Sequence, residues 1–174
     1  NINDYVFIGG TLDDAVGEAF DKVGKVLGLK FPGGPELEKK ALKGNEKAFI
    51  FPKPLLKKVD TDLNLSFSGL KSHIVKLVND NKSNLLSENF IEDISASFQK
   101  TISDILVNKL KRAINYCNKK FPTYESVVVA GGVASNSYLR KKFIETITNS
   151  NKKLYMPPIN LCTDNGAMIA WTGI

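Results

Sequence analysis

From Ser87 to Phe121 the sequence runs without a glycine or a proline, and Pro122 closes the run. Apolar residues recur through it at helical spacing: Ile91, Ile94, Phe98, Ile102, Ile105, Leu106, Leu110, Ala113, Ile114 and Cys117. That pattern predicts one long scaffold helix with a single buried face. Two strand–turn–helix units follow it. Ser126 to Ala130 reads as a buried strand leading into Gly131-Gly132 and then a helix from about Asn136 to Thr148. Lys153 to Met156 reads as a second short strand, after which Cys162-Thr163-Asp164-Asn165-Gly166-Ala167 opens a final helix to about Trp171. In one sheet, two such turns place a Gly-lined phosphate or sugar site beside an isolated carboxylate, because backbone N–H groups at a turn and a helix start bind anions.

The N-terminal half carries a second unusual pattern. After a short β-type run, Tyr5 to Ile8, Thr11 and Asp14 have capping-box spacing before a helix to about Leu27, closed by Gly28. Val16, Phe20, Val23 and Leu27 form its apolar face, while Asp14, Gly17, Asp21 and Gly24 lie together on another. Each interior glycine costs roughly 0.5–1 kcal/mol relative to alanine, so something approaches that face closely. Either a neighbouring helix packs there, with Asp21 pairing Lys25 one turn on, or a ligand does. Phe31-Pro32-Gly33-Gly34-Pro35 is a rigid turn, with Pro35 suited to the first position of a helix through Leu42 and Gly34 at its cap. Glu38, one turn into that helix, reaches the same space or faces solvent. Phe49 to Leu56 is irregular and broken by prolines. Leu65 to Lys71 alternates like a strand and passes at Gly69 into a helix through about Val78. Asn79 to Glu88 is polar and linker-like.

At 174 residues the chain suffices for one well-buried domain or one lobe of a larger protein. No apolar run has the length of a membrane span and no signal-peptide pattern opens it, so a cytoplasmic or organelle-matrix setting is expected. Cys117 and Cys162 have neither metal-type spacing nor a disulfide framework. The single histidine, His73, excludes a His-rich metal site within the chain and reads as an ordinary surface or core residue. The net charge of +6, from 24 Lys and Arg against 18 Asp and Glu, leans toward an anionic partner. The lysines are spread out, however, at Lys39, Lys40, Lys43, Lys57, Lys58, Lys141, Lys142, Lys152 and Lys153, so a solvated surface explains them as well as a nucleic-acid patch does.

Six stretches together resemble one family. They are Leu12 to Lys22, Phe31 to Pro35, Phe51 to Pro54, Ser66 to Lys71, Ala130 to Asn136 and Cys162 to Ala170, and they fall in the order and spacing of the tRNA adenosine threonylcarbamoyltransferases. This is the universal family once named O-sialoglycoprotein endopeptidase, and the match is closer to its bacterial and mitochondrial members than to the archaeal and eukaryotic branch. The resemblance implies an α/β chain forming one lobe of an actin-like, hexokinase and heat-shock-70 ATPase-type fold, helix-rich with a small mixed sheet. It implies transfer of a threonylcarbamoyl group from threonylcarbamoyl-AMP to the N6 amine of the adenosine 3′ of the tRNA anticodon. Asp21, Gly34 and Asn136 match residues that contact the substrate nucleotide, and Glu38 matches a nucleotide-contacting Glu of the archaeal branch. Asp164 matches a ligand of one divalent metal, usually Fe(II), although an Asp at a helix start is most often an N-cap. The partners implied are tRNA, a paralogous dimerisation subunit and a P-loop ATPase of the same modification system.

The departure from the family pattern matters as much. Its other two metal ligands are histidines of a His-x-x-x-His helix, and its substrate-binding Ser-Gly-Gly loop also lies upstream; neither is in this sequence. Residues 1–174 therefore read as the C-terminal lobe of a two-lobe enzyme without its N-terminal lobe. One carboxylate is a poor metal site, so this piece alone is expected to bind metal weakly or not at all and to lack transfer activity. A non-catalytic paralogous subunit, or an ATPase or sugar kinase of the same fold, are the alternatives. A metalloprotease is not, since there is no His-Glu-x-x-His.

Overall fold

The computed structural model describes residues 5–56, 62–81 and 87–173. Lys57, Lys58, Ile174 and residues 82–86 of the predicted polar linker lie outside the described residues. The chain divides into two compact units, Asn1–Pro122 and Thr123–Ile174.

The first unit is helical: α1 (Val16–Val26), α2 (Gly33–Ala41), α3 (Ser68–Asp80) and α4 (Glu88–Lys120). The long helix α4 starts where predicted, with the Ser87 side chain accepting the Phe90 N–H, and stops at Phe121, just before Pro122. Ile94, Phe98, Ile102 and Ile105 are fully buried. The expected single buried face holds only for the second half of the helix. Glu92, Ser95, Ala96, Ser97, Gln99, Thr101 and Ser103 are buried as well, so its middle is enclosed on all sides. Small residues permit this. The backbone of Gly44 presses so closely on α4 that a Cβ there would lie 2.0 Å from the Glu92 carbonyl oxygen. Ser97 Oγ donates to the Asn45 carbonyl and accepts the Phe49 N–H, which satisfies it within the core.

Helix α1 buries Ala19, Phe20, Val23 and Leu27, with the Phe20 ring edge-on to Phe98 at 5.0 Å. Its C-terminus closes as predicted: Gly28 has φ +72°, Gly28 N–H donates to the Lys25 carbonyl and Leu29 N–H to that of Gly24. The N-terminus differs. Thr11 Oγ1 donates to the Asp14 carbonyl, and the helix begins only at Val16 without a side-chain cap.

Two predicted strands are absent. Tyr5 to Ile8 is exposed and forms no strand, and Leu65 makes only an isolated parallel bridge to Thr11. After Leu65 the chain turns into α3 because the Asp13 carboxylate accepts the N–H groups of Phe67 and Ser68 and both hydroxyls of Ser66 and Ser68. A carboxylate supplied from outside the helix thus ends the strand pattern.

The second unit holds two strands, β1 (Ser126–Val128) and β2 (Lys153–Tyr155), then α5 (Ser137–Thr148) between them and α6 (Gly166–Thr172) after them. The strands are parallel, with Ser126 opposite Lys153, Val127 opposite Leu154 and Val128 opposite Tyr155. Among the described residues the sheet is wholly parallel rather than mixed. Helix α5 is the crossover a parallel pair requires and buries Leu139, Phe143 and Ile147. The predicted burial of the first strand does not hold: Val128 is 69% exposed. A two-stranded sheet packed by one helix leaves part of an apolar strand open.

Candidate functional site

Helices α1 and α2 meet at two glycines. A Cβ on Gly24 would lie 2.8 Å from Gly33 Cα, and one on Gly33 would lie 2.9 Å from Asp21 Cα. A neighbouring helix therefore accounts for Gly24, which the sequence left open. The same crossing places Asp21 at the start of α2, where its Oδ1 accepts the Gly34 N–H at 3.2 Å. Two residues singled out from the sequence are thereby brought into direct contact. Lys25 is not the partner of Asp21; the cation on this face is Lys22, held between Asp14 and Glu18 at 2.7 Å from each. The hydrogen bond to Asp14, then that to Glu18, raise the Lys22 pKa.

Helix α2 starts two residues earlier than Pro35 suggested. Gly33 is its first residue, so Gly34 is second and Pro35 third. A proline there costs no intrahelical bond because the first N–H groups of a helix have no partner inside it. Gly34 differs from Gly33 in its surroundings. A Cβ on Gly34 would meet only Phe20 Cβ, at 3.9 Å. Packing explains Gly33 and leaves Gly34 unexplained, with half-buried open space in front of it. Glu38 is half-buried one turn along the same helix.

In the second unit, β1 and β2 run parallel, so the turns that follow them emerge at the same edge of the sheet. This is the edge at which open α/β sheets bind ligands. The first turn comprises Gly131 and a 3-10 helix, Gly132–Ser135. It ends at Asn136, whose Oδ1 caps α5 by accepting the Leu139 N–H at 2.9 Å; the residue is 7% exposed. The second turn leaves β2 at Met156, passes Pro157 and Pro158 into a 3-10 helix, Ile159–Leu161, and continues from Cys162 to Asn165. Here Asn165, not Asp164, caps the last helix, its Oδ1 accepting the Met168 N–H at 3.0 Å. Asp164 is exposed and makes no hydrogen bond or ion pair with the described residues. The commonest structural reason for an aspartate at this position is thereby removed.

No group of three His, Cys, Asp or Glu side chains that would hold a metal occurs among the described residues. Asp164 on its own does not fit a metal ion, which needs several protein donors. His73 is exposed, with its ring edge-on to Phe51 at 5.9 Å. Neither cysteine is in a disulfide, and Cys162 is buried.

Sequence reasoning missed Asp13. Burial works to raise its pKa, but the hydrogen bonds from Phe67, Ser66 and Ser68 outweigh that and lower it to about 2. It also missed Arg140, whose guanidinium joins the two turns of the second unit. The only signal for either was the charge itself: the partners of Asp13 lie 53 to 55 residues on, and those of Arg140 are two backbone carbonyls and a thiol.

The sequence profile of the tRNA N6-adenosine threonylcarbamoyltransferase family matches residues 1–171. Proteins of that name are similar to this chain. One from Wolbachia sp. subsp. Brugia malayi is 45% identical over 174 residues, covering 100% of this chain and 50% of the relative. One from Rickettsia rickettsii (strain Sheila Smith) is 45% identical, covering 98% and 49%. One from Thermosipho melanesiensis is 50% identical, covering 95% and 47%. The chain thus spans about half the length of the curated relatives it matches. With the family profile matched over residues 1–171, the chain belongs to the tRNA N6-adenosine threonylcarbamoyltransferase family.

Proposed function

We propose that the whole protein to which this chain belongs transfers the threonylcarbamoyl group from threonylcarbamoyl-AMP to the N6 amine of the adenosine 3′ of a tRNA anticodon. Its fold would be that of the actin-like, hexokinase and heat-shock-70 ATPases, with this chain as the C-terminal lobe. The reading is supported by the family match along residues 1–171, and by one observation above all: Gly34 opens onto free space beside Asp21. A side chain there would stand where a ligand's sugar or phosphate approaches backbone, and among the described residues only Phe20 Cβ comes within 4 Å of it.

The transfer forms a bond from adenosine N6 to the carbamoyl carbon and breaks the bond from that carbon to the AMP phosphate oxygen. AMP leaves as a stable phosphate anion and the amine proton passes to solvent. The chain's task is therefore to hold the reactants in line. Asp21 accepts from the ribose hydroxyls, using the oxygen not turned toward Gly34. In the second unit, the resemblance assigns a nucleotide contact to Asn136, beside the Gly131-Gly132 turn. Because the Asn136 carbonyl oxygen already caps α5, it contacts substrate by sharing that acceptor or through its amide nitrogen. Asp164 would supply one carboxylate to a metal, Fe(II) in this reading. Its remaining ligands would come from residues beyond this chain, and no step of the transfer is routed through it.

The partners proposed are tRNA, a paralogous dimerisation subunit and a P-loop ATPase, in the cytoplasm or a mitochondrial matrix. No helix among the described residues is long and apolar enough to cross a membrane. The test is to incubate the full-length protein with those partners, threonylcarbamoyl-AMP and unmodified tRNA, then digest the tRNA and separate its nucleosides. Threonylcarbamoyladenosine is expected from the full-length protein and none from residues 1–174 alone. Phosphorylation of a small acceptor with unmodified tRNA would replace this reading with a kinase of the same fold.

A further inference from the structure

We infer that Arg140 is a positioning residue that clamps together the two turns at the edge of the parallel sheet, and so sets where the Asp164 carboxylate stands relative to Asn136. The inference rests on the proposed reading of those turns as a ligand site. Its structural half stands without that reading.

Arg140 is the fourth residue of α5, counting from Ser137. A cation so near a helix N-terminus opposes the helix dipole, so helix formation gives no reason for it. Its contacts do. Nη1 lies 2.8 Å from the Ala134 carbonyl in the first turn, 3.1 Å from the Pro157 carbonyl in the second, and 3.7 Å from Cys162 Sγ. One nitrogen therefore touches both turns. Cys162 is in turn 5% exposed, with its thiol directed at the carbonyls of Pro157 and Pro158 at 3.7 Å and 3.5 Å.

Asp164 makes no hydrogen bond or ion pair with the described residues, so its position is inherited from its neighbours. On one side stands Cys162, held against Arg140; on the other stands Asn165, whose amide nitrogen donates to the Thr163 carbonyl at 3.0 Å. Asn136 is anchored at the other end of the same device, since it caps the helix that carries Arg140. A planar guanidinium fixes direction as well as distance, which a lysine ammonium on a flexible stem does not.

The experiment compares Arg140→Met and Arg140→Lys with wild type in the full-length protein. One arm follows alkylation of Cys162 in the native protein by mass spectrometry of its peptide. The other measures kcat and KM for threonylcarbamoyl-AMP and tRNA, with folding checked by denaturation midpoint. Loss of charge-assisted hydrogen bonds of this kind predicts Cys162 labelling about tenfold faster in Arg140→Met. The same variant is expected to lose about tenfold in kcat while KM for tRNA stays within about twofold, with Arg140→Lys between it and wild type. Unchanged labelling overturns the clamp. Faster labelling with wild-type kcat and KM overturns the positioning role. Should wild type make no threonylcarbamoyladenosine at all, the proposed function falls, and the labelling arm still decides whether Arg140 holds the turns together.

Discussion

The Asp21 carboxylate accepts the Gly34 N–H at 3.2 Å and so closes the start of α2 from the neighbouring helix. It is an N-cap supplied in trans, and it separates stability from function by chemistry. Asp21→Asn keeps an oxygen for the Gly34 N–H and loses the charge. Asp21→Ala loses both, at about 1 kcal/mol. Denaturant titration is expected to find Asn near wild type and Ala destabilised, while nucleotide binding by calorimetry falls in both.

The adjacent glycines make a sharper pair. Gly34→Ala meets only Phe20 Cβ at 3.9 Å, and replacing a helical glycine stabilises by about 0.5–1 kcal/mol. Gly33→Ala would lie 2.9 Å from Asp21 Cα and must push α1 and α2 apart, at about 1–3 kcal/mol. A higher melting temperature with lost transfer activity is the result expected for Gly34→Ala. Retained activity would mean the space in front of it is not used.

Asp164 and Asn165 offer a second separation. Asn165→Ala removes the α6 cap and costs about 1 kcal/mol. Asp164→Asn removes a charge with no partner among the described residues, so its unfolding midpoint is expected to match wild type. Transfer by the whole protein is expected to drop severely in Asp164→Asn. A destabilised Asp164→Asn would show a structural role that its surroundings give no sign of.

Asp13 predicts an acid-sensitive element. Its folded pKa of about 2 lies below the ordinary 3.8. Its contribution is therefore complete above pH 3.8 and is lost as pH falls from there toward 2. Asp13→Asn, unable to titrate, is expected to flatten the stability-against-pH curve across that window when unfolding is followed by circular dichroism. A curve parallel to wild type would show that other carboxylates dominate.

Much of this architecture was legible because it is local. The period from Ile91 to Cys117 gave α4, Gly28 gave the end of α1, and Val127 to Ser135 gave a strand, turn and helix start. What escaped was non-local. Asp13 caps a helix whose first residue, Ser68, lies 55 positions on, and no periodicity carries that information. Ser95, Ser97 and Gln99 fall outside the apolar series that the sequence shows, yet all three are buried, and for Ser97 hydrogen bonds to the 45–49 loop account for it. Asp164 alone read as a possible cap of α6, and only the structure shows that Asn165 takes that task. Val127 to Val129 read as buried because the sequence shows a strand's composition but not how many layers will cover it.

The enclosed middle of α4 bears on how this protein can vary. Between Glu92 and Ser103 there is hardly any outward side. Tolerance to substitution along that segment should lose its rhythm of 3.6 residues and become uniformly low. From Asp104 onward the rhythm should return, with lysines such as Lys111 free to change. A segment that carries no ligand residue would then be the slowest part of this chain to drift.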